Sequence, residues 1–355
     1  MRAKTRDLIV TNLLAVALGL FTSGIFIALL GINPAAVFGR ALGAIFTDRY
    51  LFGDVLLRAT PLIFTALAFA FTFKAKLFNI GAQGQFYMGA IAAIAVSLQL
   101  DGRLPTPLLL FVVCLLTVAA GGLIGGGIGY LKARFGANEF LVSMMSTYVV
   151  LALMNYLLRT WLKEAKGEYP QTDSISMGAR IPTLLPGTRL HAGFLLAVAV
   201  AVLIWVLLYK TPLGYRIRAV GNNRTAAEMS GINAKRVYII AFAISGALAG
   251  MSGFTEVNGV QYMLLQDLGV GIGAAGIGIA ILANAHPIGI VFAAILFGLL
   301  QVIGTYMGRM PGVNIPPSII EIMQGFVMMF VIAAYFFRRK IEVRREKRKL
   351  QKGVA

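Results

Sequence analysis

The sequence predicts an all-α, polytopic membrane protein with about ten transmembrane helices. Hydrophobic residues make up 58% of the 355 residues and charged residues only 13%, which is typical of a chain that buries most of its surface in lipid. The net charge of +18 could indicate nucleic-acid binding, but the lysines and arginines fall at the ends of apolar runs and in a few loops, where they set membrane topology. We therefore expect a membrane protein that binds no nucleic acid.

Ten apolar runs are long enough to cross a membrane, and together they predict a single transmembrane domain over residues 1–355. The first run is longer than a signal-peptide core and lacks a small-x-small cleavage site, so we expect it to be retained. Between residues 268 and 307, one broken helix and a tight hairpin at His286 and Pro287 both fit the sequence, and we favour the hairpin. The ten runs lie near residues 8–30, 53–73, 77–100, 104–131, 138–158, 191–209, 237–258, 268–284, 288–307 and 318–337.

The distribution of basic residues predicts that both termini are cytoplasmic. With the N-terminus inside, 22 of the 32 lysines and arginines fall on the inner side, as the positive-inside rule requires. Nine of them lie in the C-terminal tail (residues 338–355), beside only two acidic residues. This composition predicts that the tail lies on anionic lipid head groups.

Two connecting segments are long enough to carry structure of their own. The first, residues 159–190, contains Pro170, Pro182 and Pro186; we name it the proline loop and expect a structured segment on the outer side. The second, residues 210–236, has the sequence KTPLGYRIRAVGNNRTAAEMSGINAKR; we name it the basic loop and expect it on the cytoplasmic side.

The basic loop contains the signals of a very short helix. Thr225 is followed three residues later by Glu228, the spacing of a capping box that starts a helix. Gly231 can adopt the left-handed conformation that ends one, so the helix would have little more than one turn and would not be stable alone in water. An ordinary charged membrane loop and a docking element for another protein both remain possible on these residues.

Acidic residues near the membrane are functional candidates because placing them in lipid is costly. Four qualify, and three of them sit near span ends, where they can simply face water. Of the four, we take Glu256 and Glu321 as candidates for a solute pathway. The four are Glu139, Glu256, Asp267 and Glu321.

Metal, nucleotide and cofactor sites have little support in the sequence. His191 and His286 lie at different span ends with no Cys, Asp or Glu at ligand spacing. Cys114 is the single cysteine, so no internal disulfide can form. No G-x-x-x-x-G-K-[ST] phosphate loop occurs, and no carboxylates are paired at catalytic spacing. We therefore expect no cofactor and no enzymatic activity in this chain.

The third apolar run predicts an amide and aromatic stripe on one helical face. At 100° per residue, Gly81 and Gly84 lie on the opposite side, where a neighbouring helix can approach. Amides and aromatic rings suit a neutral heterocycle with hydroxyl groups better than a zwitterionic amino acid. Equally, the amides could only bond to neighbouring helices. The stripe consists of Asn79, Gln83, Phe86 and Tyr87.

Small residues at four-residue spacing predict close helix packing in lipid. They occur at Gly121, Gly125 and Gly129, at Gly246 and Gly250, and at Gly269 and Gly273.

Three stretches resemble the permease subunits of bacterial ABC importers, in the branch that serves nucleosides, simple sugars and branched-chain amino acids, and they are closest to the nucleoside branch. They are LFNIGAQGQFYMGA (77–90), TPLGYRIRAVGNNRTAAEMSGIN (211–233) with AFAISGALAG (241–250), and GIGIAILANAHPIGIVFAAILFG (276–298). The wider importer signature is absent, because no I-x-L-P follows the order Ala226, Ala227, Glu228, Gly231.

This resemblance implies a function. The basic loop would carry the coupling helix that docks on a separate ATPase subunit, a role that falls on Thr225, Ala226, Ala227, Glu228, Met229, Ser230 and Gly231. The chain would be a multi-pass permease of the bacterial inner membrane, paired with a second copy or a paralogue, with an extracytoplasmic solute-binding protein and membrane lipid as further partners. It would move a small polar solute inward, most readily a nucleoside, with a simple sugar such as ribose or a branched-chain amino acid as alternatives. A proton-coupled secondary transporter and a membrane-embedded enzyme are the alternatives from other classes.

Overall fold

The computed structural model describes residues 2–165, 167, 169–310, 321–334 and 337, with side chains from residue 14 onward. Within this part of the chain the regular structure is helical apart from two isolated β-bridges. The predicted contacts of the C-terminal tail (residues 338–355) lie outside the described residues. The α-helices are α1 (Arg2–Leu29), α2 (Pro34–Thr47), α3 (Arg49–Phe73), α4 (Ala82–Leu100), α5 (Thr106–Phe135), α6 (Glu139–Arg159), α7 (Gly193–Lys210), α8 (Pro212–Asn222), α9 (Arg224–Met229), α10 (Ala234–Glu256), α11 (Ile272–Leu282), α12 (Pro287–Met307) and α13 (Glu321–Ala334).

Six described helices are long and apolar enough to cross a membrane, and a seventh span results if the bent pair α1 and α2 is counted as one. The six are α3, α5, α6, α7, α10 and α12. The all-helical membrane architecture is therefore confirmed, whereas the predicted count of ten is not. The apolar runs did not indicate the amphipathic helix α2. It is capped by the Asn33 side chain, which accepts from the backbone N–H groups of Ala35 and Ala36.

The region around His286 contains the predicted break but not a second full span before it. Helix α11 ends at Leu282 and α12 begins at Pro287, because Asn284 and Ala285 both have positive φ, at 52° and 51°. Helix α11 has 11 residues, about 16 Å of helix against a hydrocarbon core of about 30 Å. The run at 268–284 therefore forms a short helix preceded by an irregular turn.

The chain divides into two compact units. The smaller unit contains residues 1–52 and 297–355. In it, α1 packs directly on α13: a Cβ added to Gly19 would lie 2.6 Å from the Cα atom of Val327, and the Phe26 and Phe326 rings stack with centroids 5.4 Å apart.

The larger unit, Gly53–Leu296, is built around α3 and a glycine seam between α5 and α10. In the most apolar 18-residue stretch of α3, 89% of the residues are buried. A Cβ on Gly121 would collide with the Gly246 carbonyl oxygen, and one on Gly125 with the Phe242 carbonyl oxygen. The predicted close packing at Gly121, Gly125, Gly246 and Gly250 is thus confirmed. Gly269 and Gly273 do not share a helix, because Gly269 precedes α11 with φ 61°.

The loops and turns of the larger unit lie at its two ends, as expected for a chain whose successive helices cross the membrane in alternating directions. At one end, the proline loop contacts the turn after α4 through Ser176 and Asp101 and the end of α10 through Asn258 and Ala179. At the other end, α8 lies on the turn after α3, since a Cβ on Gly221 would collide with the Lys74 carbonyl oxygen. The proline loop and the basic loop therefore lie at opposite ends.

Candidate functional site

The basic loop folds into two helices, and the first of them, α8, is fixed to the end of the larger unit. Thr211 caps it, its hydroxyl accepting from the Gly214 N–H at 3.2 Å while donating to the Leu207 carbonyl at 2.6 Å. Gly214 has no room for a side chain because the Leu207 and Leu208 carbonyl groups lie against it. With Ile217 and Val220 buried as well, α8 forms a firm platform.

The second helix, α9, spans Arg224–Met229, and its start corrects the sequence prediction. The capping residue is Asn223, whose side-chain oxygen accepts from the Ala226 N–H at 3.1 Å, so no Thr225–Glu228 capping box forms. Thr225 lies inside the helix, and Glu228 instead pairs with Arg224 at 2.9 Å. Asparagine is among the strongest N-caps, so the signal was present in the sequence two residues earlier.

The end of α9 is as predicted. Gly231 has φ 81°, and the N–H groups of Ile232 and Gly231 donate to the carbonyl groups of Ala227 and Glu228 at 3.0 Å each, a Schellman-type ending. Helix α10 starts three residues later with a second asparagine cap, Asn233, which accepts from the Arg236 N–H. Helix α9 is thus a six-residue helix held by caps at both ends.

The outer surface of α9 is available to a partner. Ala227 is buried against the rest of the unit, whereas Met229 is 85% exposed. Arg224 also lies 5.8 Å from the centroid of the Tyr238 ring on α10, and its hydrogen bond to Glu228 raises the pKa of the guanidinium. The helix therefore presents an apolar tip beside an internally neutralised ion pair.

Basic side chains gather under α8, where three turns of the larger unit meet. Arg218 lies over the Tyr209 ring at 5.2 Å, and that ring stacks with His286 at 5.8 Å. Lys74 donates to the Asn284 carbonyl at 3.4 Å. Burial, with Arg218 nearby, lowers the pKa of Lys74, and burial, with Lys74 nearby, lowers the pKa of His286. The cluster connects α8 mechanically to the break before α12.

The predicted amide and aromatic stripe does not form one helical face, because α4 begins only at Ala82. Asn79 precedes the helix and is fully buried. Its side-chain amide nitrogen donates to Gln85 and to Ser245, each at 2.8 Å. Ser245 in turn donates to the Ala68 carbonyl. Asn79 therefore joins α3, α4 and α10, as the packing interpretation predicted.

The other three stripe residues also have partners within the protein. Gln83 donates to the Gly269 carbonyl at 2.9 Å and accepts from the Gly273 N–H at 2.7 Å, which fixes the turn before α11. Phe86 and Tyr87 are 0% and 3% exposed, with ring centroids 5.5 Å apart. On the opposite side, Cβ atoms at Gly81 and Gly84 would meet Ser143 and Thr147 of α6, as predicted.

The candidate acids occupy different settings. Glu256 is 9% exposed at the end of α10 and accepts from Gln261 at 3.2 Å, directly before a π-helical turn, Val257–Gln261. Glu139 forms an ion pair with Lys132 at 2.7 Å, and Glu321 is exposed at the start of α13. Among the described residues, no group of three His, Cys, Asp or Glu side chains could hold a metal ion.

Comparison with known proteins gives a consistent family. The profile of the branched-chain amino acid transport system permease component matches residues 51–332. The glucose ABC transporter permease protein TsgB13 of Haloferax volcanii is 33% identical over 93% of this chain and 88% of its own. The guanosine permease NupP of Bacillus subtilis is 33% identical (92% and 93%). The nucleoside permease NupB of Lactococcus lactis subsp. cremoris is 32% identical (94% and 93%).

Proposed function

Because the chain belongs to the branched-chain amino acid transport system permease family, we propose that it is the membrane-spanning subunit of an ABC importer that carries a nucleoside into the cell. ATP hydrolysis would take place on a separate subunit, and this chain would act as a permease without catalytic activity of its own. An extracytoplasmic binding protein would deliver the solute, and a second copy or a paralogue would complete the pathway in the bacterial inner membrane.

The choice of a nucleoside rests on the relatives. Two of the three proteins compared above are named for guanosine or nucleosides, and the third for glucose. A simple sugar such as ribose is therefore the second candidate and a branched-chain amino acid the third. Of the predicted pathway residues, Glu256 has the setting that best supports solute contact, a buried carboxylate at a π-helical turn, since such turns are frequent at functional sites. Gln83 would act by holding the turn at Gly269.

The observation that carries the importer mechanism is α9, a capped six-residue helix with an 85% exposed methionine at its end. We propose that the segment from Thr225 to Gly231 is the docking element for the ATPase, in which exposed Met229 makes the direct contact and the other residues hold the helix in place. With this docking element, we infer that the basic loop and both termini are cytoplasmic, as the excess of basic residues also predicts. We further propose ten crossings, in which α11 together with its preceding turn forms one short crossing.

Reconstitution tests this function directly. The chain and its partner permease are placed in proteoliposomes with binding protein, with and without the ATPase, and uptake of labelled guanosine or uridine is measured. We expect uptake only with ATPase and ATP, and competition by unlabelled nucleosides but not by ribose or leucine. Uptake that persists without ATPase and collapses with the proton gradient would identify a secondary transporter instead. Competition by ribose or leucine alone would remove the nucleoside assignment.

Cysteine cross-linking tests the docking site separately. In a Cys114→Ser background, Met229→Cys should cross-link to the ATPase, whereas Met177→Cys should not. Met177 is a suitable control because it is 79% exposed but lies in the proline loop. Cross-linking from Met177→Cys but not from Met229→Cys would reverse the proposed orientation.

A further inference from the structure

A groove of about 750 Å³ lies beside α9, between the first turns of α8 and α10. Its basic side chains are Arg216 and Arg236, and none of its lining residues is acidic. Ser230 and Gly231 at the end of α9 line the groove, whereas Met229, the proposed contact with the ATPase, does not. It is therefore a cationic cavity to which the importer mechanism assigns no occupant.

Within the described part of the chain, the two arginines of the groove differ from their neighbours in the basic loop by having no partner. Arg218 lies over the Tyr209 ring, and Arg224 pairs with Glu228. The side chains of Arg216 and Arg236 are exposed and have no hydrogen-bond or ion-pair partner in the part of the chain that the structure describes. Two guanidinium groups that have no partner among the described residues, in a groove without an acidic lining residue, favour an anion that can accept several hydrogen bonds, such as a phosphate ester.

The apolar part of the groove lies at the start of a helix that is long and apolar enough to cross a membrane. Val237 and Ile240 line it and belong to the span that begins at Ala234, which places Ile240 about 9 Å along the helix from its start. Ile240 is 38% exposed. A lipid whose phosphate binds the two arginines can lay an acyl chain along this exposed apolar side chain, because the arginines line the same groove from α8 and α10. Tyr215, 63% exposed at the rim, has the amphipathic side chain favoured at the head-group level.

We propose that this groove binds an anionic phospholipid, with Arg216 and Arg236 holding the phosphate and Val237 and Ile240 contacting an acyl chain. The site lies between the platform helix α8 and the first turn of α10. These two helices precede and follow α9 in the chain. A bound lipid would therefore brace the short helix on its membrane side while its exposed tip remains available. This inference needs only the membrane position of the chain, so it stands or falls separately from the identity of the solute.

Photolabelling tests the proposal. The full-length chain, with and without its ATPase, is placed in phosphatidylcholine nanodiscs containing phosphatidylglycerol with a photoactivatable acyl chain, and labelled peptides are mapped. We expect labelling of the segment around Val237 and Ile240. In the Arg216→Gln/Arg236→Gln double variant this labelling should fall at least about tenfold, because each substitution removes a charge-assisted hydrogen bond to the phosphate. Because both side chains are exposed and unpaired, the variant should still fold.

The matched control is Lys235→Gln, which removes one positive charge, as each single variant Arg216→Gln or Arg236→Gln does, but from a neighbouring exposed position that does not line the groove. It should leave the labelling unchanged. An equal fall in Lys235→Gln would show that only bulk charge matters, and undiminished labelling in the double variant would exclude the arginines; either result overturns the site. Equal labelling by a phosphatidylcholine probe, or loss of labelling when the ATPase binds, would also overturn it, the latter in favour of a protein contact.

Discussion

The proline loop and the basic loop connect helices of the same unit at opposite ends, but they are stabilised in different ways. The proline loop forms backbone hydrogen bonds with the segment that follows α10. The N–H groups of Thr172, Ile175 and Ile181 donate to the carbonyl groups of Leu264, Tyr262 and Asn258 at 2.8–3.0 Å. In the basic loop, α9 depends on its own caps. A loop tied into the fold resists local change, whereas a short helix held mainly by its caps is sensitive to single substitutions and is stabilised further by a partner.

The largest effect should come from the left-handed glycine of the basic loop. Gly231→Val places a β-branched residue at φ 81°, at a cost of about 1–3 kcal/mol, which a six-residue helix cannot absorb. We expect the solute transported per ATP hydrolysed in proteoliposomes to fall at least about fivefold, since about 1 kcal/mol, the lower end of this cost, corresponds to that factor. The control is Gly187→Val in the proline loop, where φ is 79°. Equal uncoupling by both would deny the loops different roles.

The second effect concerns stability instead of coupling. Asn258→Ala removes the side-chain amide nitrogen that donates to Ser97 and to the Ala179 carbonyl, each at 2.8 Å. This leaves buried acceptors unpaired, at a cost of about 1–3 kcal/mol. We expect a lower melting temperature in detergent and an unchanged transport-to-ATP ratio. Exposed Met177→Ala should leave both unchanged. A normal melting temperature for Asn258→Ala would mean that the proline loop is not anchored there.

A smaller effect separates the observed cap from the predicted one. Asn223→Ala removes the side chain that accepts from Ala226 and should cost α9 about 1 kcal/mol, seen as weaker cross-linking from Met229→Cys to the ATPase. Thr225→Ala should have almost no effect, because its hydroxyl group has no hydrogen-bond partner within the described residues. The opposite order of the two variants would restore the capping box.

The smallest effect should come from the ion pair on α9. Glu228→Gln breaks the contact with Arg224 at 2.9 Å, and exposed pairs one helical turn apart contribute only about 0.3–0.5 kcal/mol. We expect slightly weaker coupling that high salt reproduces in the wild type. A loss as large as that of Gly231→Val would indicate that Glu228 itself contacts the partner.

The sequence predicted those features that follow from local rules. Apolar runs located the spanning helices, Gly231 ended α9, and glycines at four-residue spacing marked the seam between α5 and α10, because each depends on one segment and its period. The start of α9 was assigned wrongly because two capping signals overlap in NNRTAAE and the spacing rule favoured Thr225 over Asn223. Helix α2 was missed although Asn33 and Pro34 form a recognisable start.

Long-range partners were beyond the reach of the sequence. Asn79 bonds to Ser245, 166 residues away, and Gln83 bonds to Gly269, 186 residues away. A helical wheel treats both amides as one face of α4, whereas these distant partners decide that Asn79 lies outside the helix and that Gln83 holds a turn. The groove between α8 and α10 likewise forms only when the two helices fold together.

The glycine seam has a mechanical consequence for α9. Only residues 230–233 separate α9 from α10, and from Gly121 to Gly129 the backbone of α5 lies directly against that of α10. Backbones in direct contact leave no side-chain layer that could deform between them. We therefore expect that a displacement of α9 moves α5 and α10 together as one rigid body. The relative motion needed for transport would then occur where this pair of helices contacts the other helices.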